Sequence, residues 1–458
     1  MPKLVSTNPA KNYEEIGSVE ISTDEEIDAV ILAAQKSKRE WKELGLKKRI
    51  ELLRPICEEF KSRADEIADL IVKEVGKPIS ESKGEASGYV EEFEWFLDNA
   101  KKALQDEVTH EDNESLHRIV YEPHGVACVI TPWNFPFGMA IWGIIPNLLA
   151  GNTVVFKISE ECPLMGKFID EIFVNHDLPK GVFSQVYGDG NVGRKLSKQD
   201  VDLLWFTGST KVGKQIYKTA ADKFIKVILE MGGSNPFIIF EDADLDLAVA
   251  RVYKGRFQNC GQVCDASKRL IVHESLFDEA VDKLKKIVEK KLVGDPNNPK
   301  TDIGSLVAKR QVEALEIQVA DAIDKGAKVI VGGKKPEKLQ GAYYRPTILT
   351  NISKNMKVWK EEVFGPVLPI IKFSSEDEAV ELANDTKYGL GSKFYTKDKA
   401  RIRRVSSRIE AGSVEVNQGS RWLCCNPFGG YKNSGMGREH GILGFRELCQ
   451  VKVISESK

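Results

Sequence analysis

Apolar positions recur at helical spacing through most of the first hundred residues, then give way to short runs of β-branched and aromatic residues. Thr23 with Glu26 three residues on makes a capping box ahead of IDAVILAAQKSKREW. A second helical run spans 46–75 and stops at Gly76-Lys77-Pro78, and a third is read over 80–104. Near residue 117 the pattern turns to β in HRIVYEPHGVACVI, broken at Pro123 and Gly125, which reads as a hairpin or two edge strands.

From 126 to 230 the runs VACVI, TVVFK, FSQVY, LLWFT and KVILE alternate with helical stretches. A second series runs through FIIF (237–240), KRLIVH (268–273), AKVIVGG (327–333), PVLPIIKF (366–373) and GSVEVN (412–417). Strand–helix alternation predicts parallel sheets, so the chain is read as two α/β lobes with a cleft between them. No internal repeat or Pro/Ser-rich linker divides them.

Composition narrows the class. With 458 residues, 42% apolar and 29% charged, the chain is long enough for two or three lobes and balanced like a globular protein. A net charge of −2 argues against a nucleic-acid partner, because neutralising phosphates needs a basic face. No stretch of about 18 uncharged apolar residues occurs, so no membrane span is expected. Eight cysteines show neither disulfide density nor paired metal spacing, which favours a reducing, cytoplasmic setting and no metal site. The adjacent pair Cys424-Cys425 suits neither a zinc site nor a simple disulfide.

Candidate chemistry lies in a few segments. In FQNCGQVCDASKR (257–269), Gly261 permits a tight turn and Cys264 precedes a strand, where a thiolate can attack a carbonyl carbon. A small buried hydrophobe is the ordinary alternative for a free cysteine. Glu230 follows a β-run and precedes Gly-Gly in ILEMGGSNPF, a place for a general base, and equally for a surface glutamate. Asn134, in the stiff TPWNFP loop, offers an oxyanion donor or a turn cap. Lys157 and Glu160 end the TVVFK strand, where a carboxylate can take ribose hydroxyls. Gly208 and Ser209 open a helix whose first amides can face a pyrophosphate.

The blocks TPWNFP, FTGST, EMGGSNP, FQNCGQVC, EEVFGP and NPFGGYKNSGMGRE stand in order along the chain. Together they resemble the aldehyde dehydrogenase superfamily from about residue 7 to the end, and most closely its compact succinate-semialdehyde branch. The resemblance implies that Cys264 is the nucleophile, Glu230 the base and Asn134 the oxyanion donor beside the Cys264 amide. It implies adenosine-ribose contacts at Lys157 and Glu160, and pyrophosphate neighbours at Trp133 and Ser209. It also implies a nicotinamide-ribose ligand at Glu362 and a nicotinamide-site wall at Phe364. The cofactor expected is NAD, with NADP open, and the product is the free acid rather than an acyl-coenzyme A.

The expected domains are a dinucleotide-binding unit (1–114 and 129–229), a catalytic unit (230–428) and a β-rich oligomerisation element (115–128 and 429–458). A homodimer or homotetramer follows from the same resemblance. Two departures stand out. The Trp-Lys pair of many members reads Trp142-Gly143, and the short N-terminus lacks a leading strand. For the substrate, Arg421 in NQGSRWLCCNPFGG can clamp the carboxylate of succinate semialdehyde or equally be a surface or interface arginine, while Trp422 and Leu423 suit a small neutral aldehyde. A hydroxyaldehyde such as glyceraldehyde or lactaldehyde is the alternative substrate, and a non-catalytic protein on the same fold the alternative class.

Overall fold

The computed structural model describes residues 2–418 and 423–458. Its helices begin where the capping chemistry puts them. Thr23 accepts from the Glu26 amide, and the Glu26 carboxylate accepts in turn from the Thr23 amide, opening Asp24–Glu43. The run at 46–75 is two helices, Gly45–Ser62 and Ala64–Val75, and the second closes on Gly76 at φ +78°. Ile79–Leu104 follows.

The N-terminus corrects the all-helical expectation. An antiparallel hairpin, Lys3–Asn8 with Glu14–Glu20, precedes the first helix, so a leading strand is present. A two-stranded ribbon with one half-buried face carries too little apolar alternation to announce itself.

A six-stranded sheet runs in the order Gly435–Met436, Lys226–Glu230, Leu203–Thr207, Val126–Ile130, Thr153–Lys157, Phe183–Gln185. All its neighbours are parallel except the first pair. The chain starts at Val126–Ile130, builds outward through two strands, then returns to build the other side. That reversal makes a crevice at the carboxyl ends of Val126–Ile130 and Leu203–Thr207, where doubly wound sheets bind ligands. The helix Pro136–Ala150 is buried along its whole length behind these strands.

The second sheet has seven strands, ordered Lys328–Val331, Thr347–Thr350, Val367–Phe373, Ser267–His273, Asn235–Ile239, Gly391–Tyr395, Ser413–Val416. It too is parallel apart from its first pair. Two of its strands, Thr347–Thr350 and Gly391–Tyr395, were not foreseen. The first is four residues long, and the second opens on Gly and carries Lys393, buried here at 5% exposure near Glu415.

A separate antiparallel sheet pairs Cys449–Ser457 with Ser115–Pro123, and that with Glu107–Glu111. The hairpin partner of Ser115–Pro123 is therefore Glu107–Glu111, while Val126–Ile130 belongs to the six-stranded sheet. Among the described residues no helix is long and apolar enough to cross a membrane.

Candidate active site

The crevice at the strand ends opens into a cavity of about 450 Å³. Trp133 and Asn134 enter it from the loop after Val126–Ile130, Gly208 and Ser209 from the loop after Leu203–Thr207, and Glu230 from the end of its own strand. Cys264, Glu362 and Phe364 close it from the side of the seven-stranded sheet. Residues as far apart in sequence as Trp133 and Phe364 thus share one wall because both sheets present loops to the same gap.

Cys264 is held by backbone strain and by amides. Asn259, Cys260 and Gly261 run consecutively in the left-handed region at φ +48°, +54° and +74°. That is costly for the two non-glycines and persists only where the surroundings impose it. A Cβ on Gly261 would meet the Gly365 carbonyl at 2.3 Å, so the tight turn requires glycine there. Asn235 donates to the Cys264 carbonyl at 3.0 Å and to Ala266 at 3.2 Å, fixing the segment before the strand Ser267–His273. The thiol is half-buried, and burial, followed by the nearby Glu230, raises its pKa well above the ordinary value.

Glu230 is 2% exposed, and among the described residues neither carboxylate oxygen has a hydrogen-bond partner. Burial first, then Glu439, pushes its carboxyl well above the usual range. A buried carboxyl with free acceptors is poised to take a proton from a ligand or water. Asn134 is also buried, and its Nδ2 donates to the Gln262 carbonyl at 3.1 Å. An amide carries two hydrogens, so one remains for the cavity.

Sequence reasoning missed the group that holds this loop. Lys77 lies in the Gly-Lys-Pro stretch that reads as punctuation, yet it is 1% exposed. It pairs with Glu85, sits 3.7 Å above the Phe135 ring and donates to the Asn134 carbonyl at 3.0 Å. Asn259 donates to the same carbonyl at 2.8 Å, and Glu81 accepts from the Asn259 amide at 2.7 Å. One turn of the helix Ile79–Leu104 thereby grips both the Asn134 loop and the Cys264 loop.

Glu362 is anchored by Lys268, a second residue that sequence reasoning passed over as part of a strand. Its carboxylate also accepts from the Gly233 amide at 3.1 Å. A Cβ on Gly232 would come within 2.0 Å of Glu362 Oε2, which explains why Gly-Gly follows Glu230 and Met231. Phe364 meets Trp133 edge-on at 5.5 Å. Arg256 donates to the carbonyls of Val363, Gly365 and Val367, so the segment carrying Glu362 and Phe364 is tied down from behind.

Ser209 caps the helix Thr210–Lys223, accepting from the Val212 amide. Lys157 and Glu160 do not line this cavity. They lie at the carboxyl end of Thr153–Lys157, with Lys157 3% exposed and donating to the Ile158 carbonyl at 3.0 Å. Gly143 has a packing reason: a Cβ there would meet Val129 at 2.4 Å and Trp205 at 3.0 Å. The helix lies too close to the sheet for a lysine. Arg421 and Trp422 lie outside the described residues.

The sequence profile of the aldehyde dehydrogenase family matches residues 2–454. The chain is 38% identical over 448 residues to the succinate-semialdehyde dehydrogenase [NADP(+)] GabD of Escherichia coli strain K12, covering 97% of this chain and 92% of that protein. It is 39% identical over 449 residues to a glutarate-semialdehyde dehydrogenase of Pseudomonas aeruginosa, covering 98% and 92%. The crystal structure of an E. coli NADP-dependent enzyme superposes with a TM-score of 0.96 at 36% identity, over 100% of this chain and 95% of that one.

Proposed function

Because the chain belongs to the aldehyde dehydrogenase family, whose members oxidise aldehydes with NAD(P), we propose that it converts a short aldehyde to the free acid through a thioester on Cys264. The single observation that carries this reading is Glu230, buried with both oxygens unpartnered among the described residues and close enough to Cys264 to raise the thiol's pKa.

The residues fit a nicotinamide dinucleotide. The Ser209-capped helix start offers amides for a pyrophosphate, Glu362 stands beside a glycine that a side chain would displace, and Glu160 offers a carboxylate to a ribose. In the proposed mechanism Cys264 gives up its proton to solvent, and the thiolate sulfur adds to the aldehyde carbon. The carbonyl π bond breaks, and the new oxyanion is held by the Asn134 amide and the Cys264 N–H. A nicotinamide dinucleotide held beside Glu362 and Phe364 would supply the hydride acceptor for that carbon. Glu230 then takes a proton from water, the water oxygen bonds to the acyl carbon, and the carbon–sulfur bond breaks to release the acid. A carboxylate at this position favours hydrolysis over transfer to coenzyme A. Cys264→Ala is expected to abolish turnover. Glu230→Gln is expected to give a burst of reduced nicotinamide followed by turnover slowed by about a hundredfold or more. Unslowed hydrolysis in Glu230→Gln would require another base.

NAD is proposed ahead of NADP, supported by Glu160, which should repel a 2′-phosphate, and by the Lys157 ammonium, which is turned onto backbone. The relative GabD bears NADP in its name, so kcat/KM with each cofactor decides. The substrate proposed is succinate semialdehyde or a similar short aldehyde, supported by the semialdehyde named for both relatives. Glyceraldehyde- or lactaldehyde-type substrates are the second reading. Succinate semialdehyde and butanal share a chain length and differ by one carboxylate. A tenfold preference for the acid corresponds to about 1.4 kcal/mol of recognition by a cation such as Arg421, whereas equal rates return the reading to neutral aldehydes.

The domain division proposed is the dinucleotide-binding unit at 1–114 and 129–229, the catalytic unit at 230–428 and the oligomerisation element at 115–128 and 429–458. A homodimer or homotetramer is proposed through the edge strand Cys449–Ser457, where Val451 and Val453 are each 63% exposed. Sedimentation separates either from a monomer. A cytoplasmic setting is supported by eight free cysteines, and cell fractionation tests it.

A further inference from the structure

Two thiols outside this machinery stand side by side. The Asn426 amide donates to the Leu423 carbonyl at 2.9 Å, closing a turn whose central residues are Cys424 and Cys425. Cys425 is exposed, and Cys424 is half-buried. Cys424 lines a second cavity, which shares Tyr89, Phe135 and Gln258 with the reactive one. The Glu92 carboxylate, 2% exposed, lies against the Cys424 thiol. The turn is also tied to the reactive site. The Cys424 carbonyl accepts from the Gly441 amide at 2.9 Å, and Phe428, four residues on, lines the reactive cavity.

We propose that Cys424 and Cys425 are a peroxide-modification site, oxidised reversibly to a vicinal disulfide in the wall beside the reactive cavity. The exposed Cys425 sulfur attacks a peroxide oxygen, the O–O bond breaks, and one water leaves from hydrogen peroxide, giving a sulfenic acid. Cys424 then attacks that sulfur, its proton passes to Glu92, the S–O bond breaks and a second water leaves. Two thiols and one peroxide become one disulfide and two waters, with sulfur oxidised and oxygen reduced.

The order is set by environment. Burial and Glu92 hold the Cys424 thiol up at about 12, so it is a poor first nucleophile but has a base in place for the second step. Reversibility follows from geometry. Adjacent Cα atoms are about 3.8 Å apart, below the roughly 4.4–6.8 Å of ordinary disulfides, so the closed ring is strained and readily reduced. Closing it also draws the Cys424 sulfur off Glu92 and reshapes the turn that leads to Phe428.

The test treats the intact enzyme with hydrogen peroxide and follows peptide mass and kcat/KM together. Expected are loss of two hydrogens on the peptide holding Cys424 and Cys425, a fall in kcat/KM of at least about threefold, and recovery of both with dithiothreitol. The Cys425→Ser variant, changed at an exposed position, is expected to show full activity and to escape that reversible fraction. Oxidation of Cys264 would strike wild type and Cys425→Ser alike. The proposal is overturned if the two fall equally, or if the peptide keeps two free thiols or passes straight to a sulfinic acid.

Discussion

Cys264 and Glu230 share a water-poor wall, and each opposes the other's charge. Burial is the larger cause for both; Glu230 raises the Cys264 thiol further, while Glu439 is the next cause for Glu230. A thiolate therefore forms more easily where Glu230 carries no charge. The Glu230→Gln protein should accordingly be alkylated at Cys264 by iodoacetamide with a pH midpoint lower than wild type by about one unit. An unchanged midpoint would mean that burial alone sets the thiol. Lys268 works in the opposite sense, and its pairing with Glu362 links the thiol's electrostatics to the proposed cofactor side of the cavity. Cys264 and Glu230 were legible in the sequence because motif blocks surround them. Lys77 and Lys268 were not, since a lysine in a glycine-proline turn or at the start of a strand reads as surface.

Among the secondary elements, the start of the helix Ile79–Leu104 carries the placement of the oxyanion site. Lys77, Glu81 and Glu85 bind two loops that otherwise belong to different sheets. Lys77→Met leaves Glu85 buried without its cation and is expected to destabilise the fold by about 3–5 kcal/mol. The double change Lys77→Met with Glu85→Gln removes both charges and should recover most of that stability. It should not recover kcat, which is expected to stay at least about tenfold low because the Asn134 carbonyl has lost a donor. Thermal melting and steady-state rates on the same two proteins check this, and joint recovery would make the clasp purely structural. At this scale the sequence disclosed the helix and its stop but not its task, because the task depends on which loops fold over it.

Across the whole molecule, several carboxyls are buried with raised pKa values: Glu74 and Glu81 at about 7 and Glu439 at about 8, with burial the first cause in each. Glu74 ties the N-terminal hairpin to two helices through Ser6 and the amides of Leu164 and Met165. A carboxyl raised by folding favours the folded state fully below its ordinary value of 4.5, and that stability is lost as pH rises through its folded value. Each group contributes a slope of at most about 1.4 kcal/mol per pH unit. Among the described residues the Glu439 carboxyl has one hydrogen-bond partner, Thr207 at 3.4 Å, so Glu439→Gln is the mildest probe. The variant should melt higher than wild type at pH 9, with the difference shrinking as pH falls toward 5. A constant offset would remove Glu439 from the pH dependence.

The sequence by itself determined the two α/β sheets, most of their strands and the order of the segments bearing Cys264, Glu230 and Asn134. Period and turn chemistry are local, and these features are written in them. Only the tertiary structure decided which buried charges have partners, because Lys77 meets a carbonyl 57 residues away and Glu81 an amide 178 residues away. A pairing of that span leaves no periodic trace in the chain, and burial makes it indispensable.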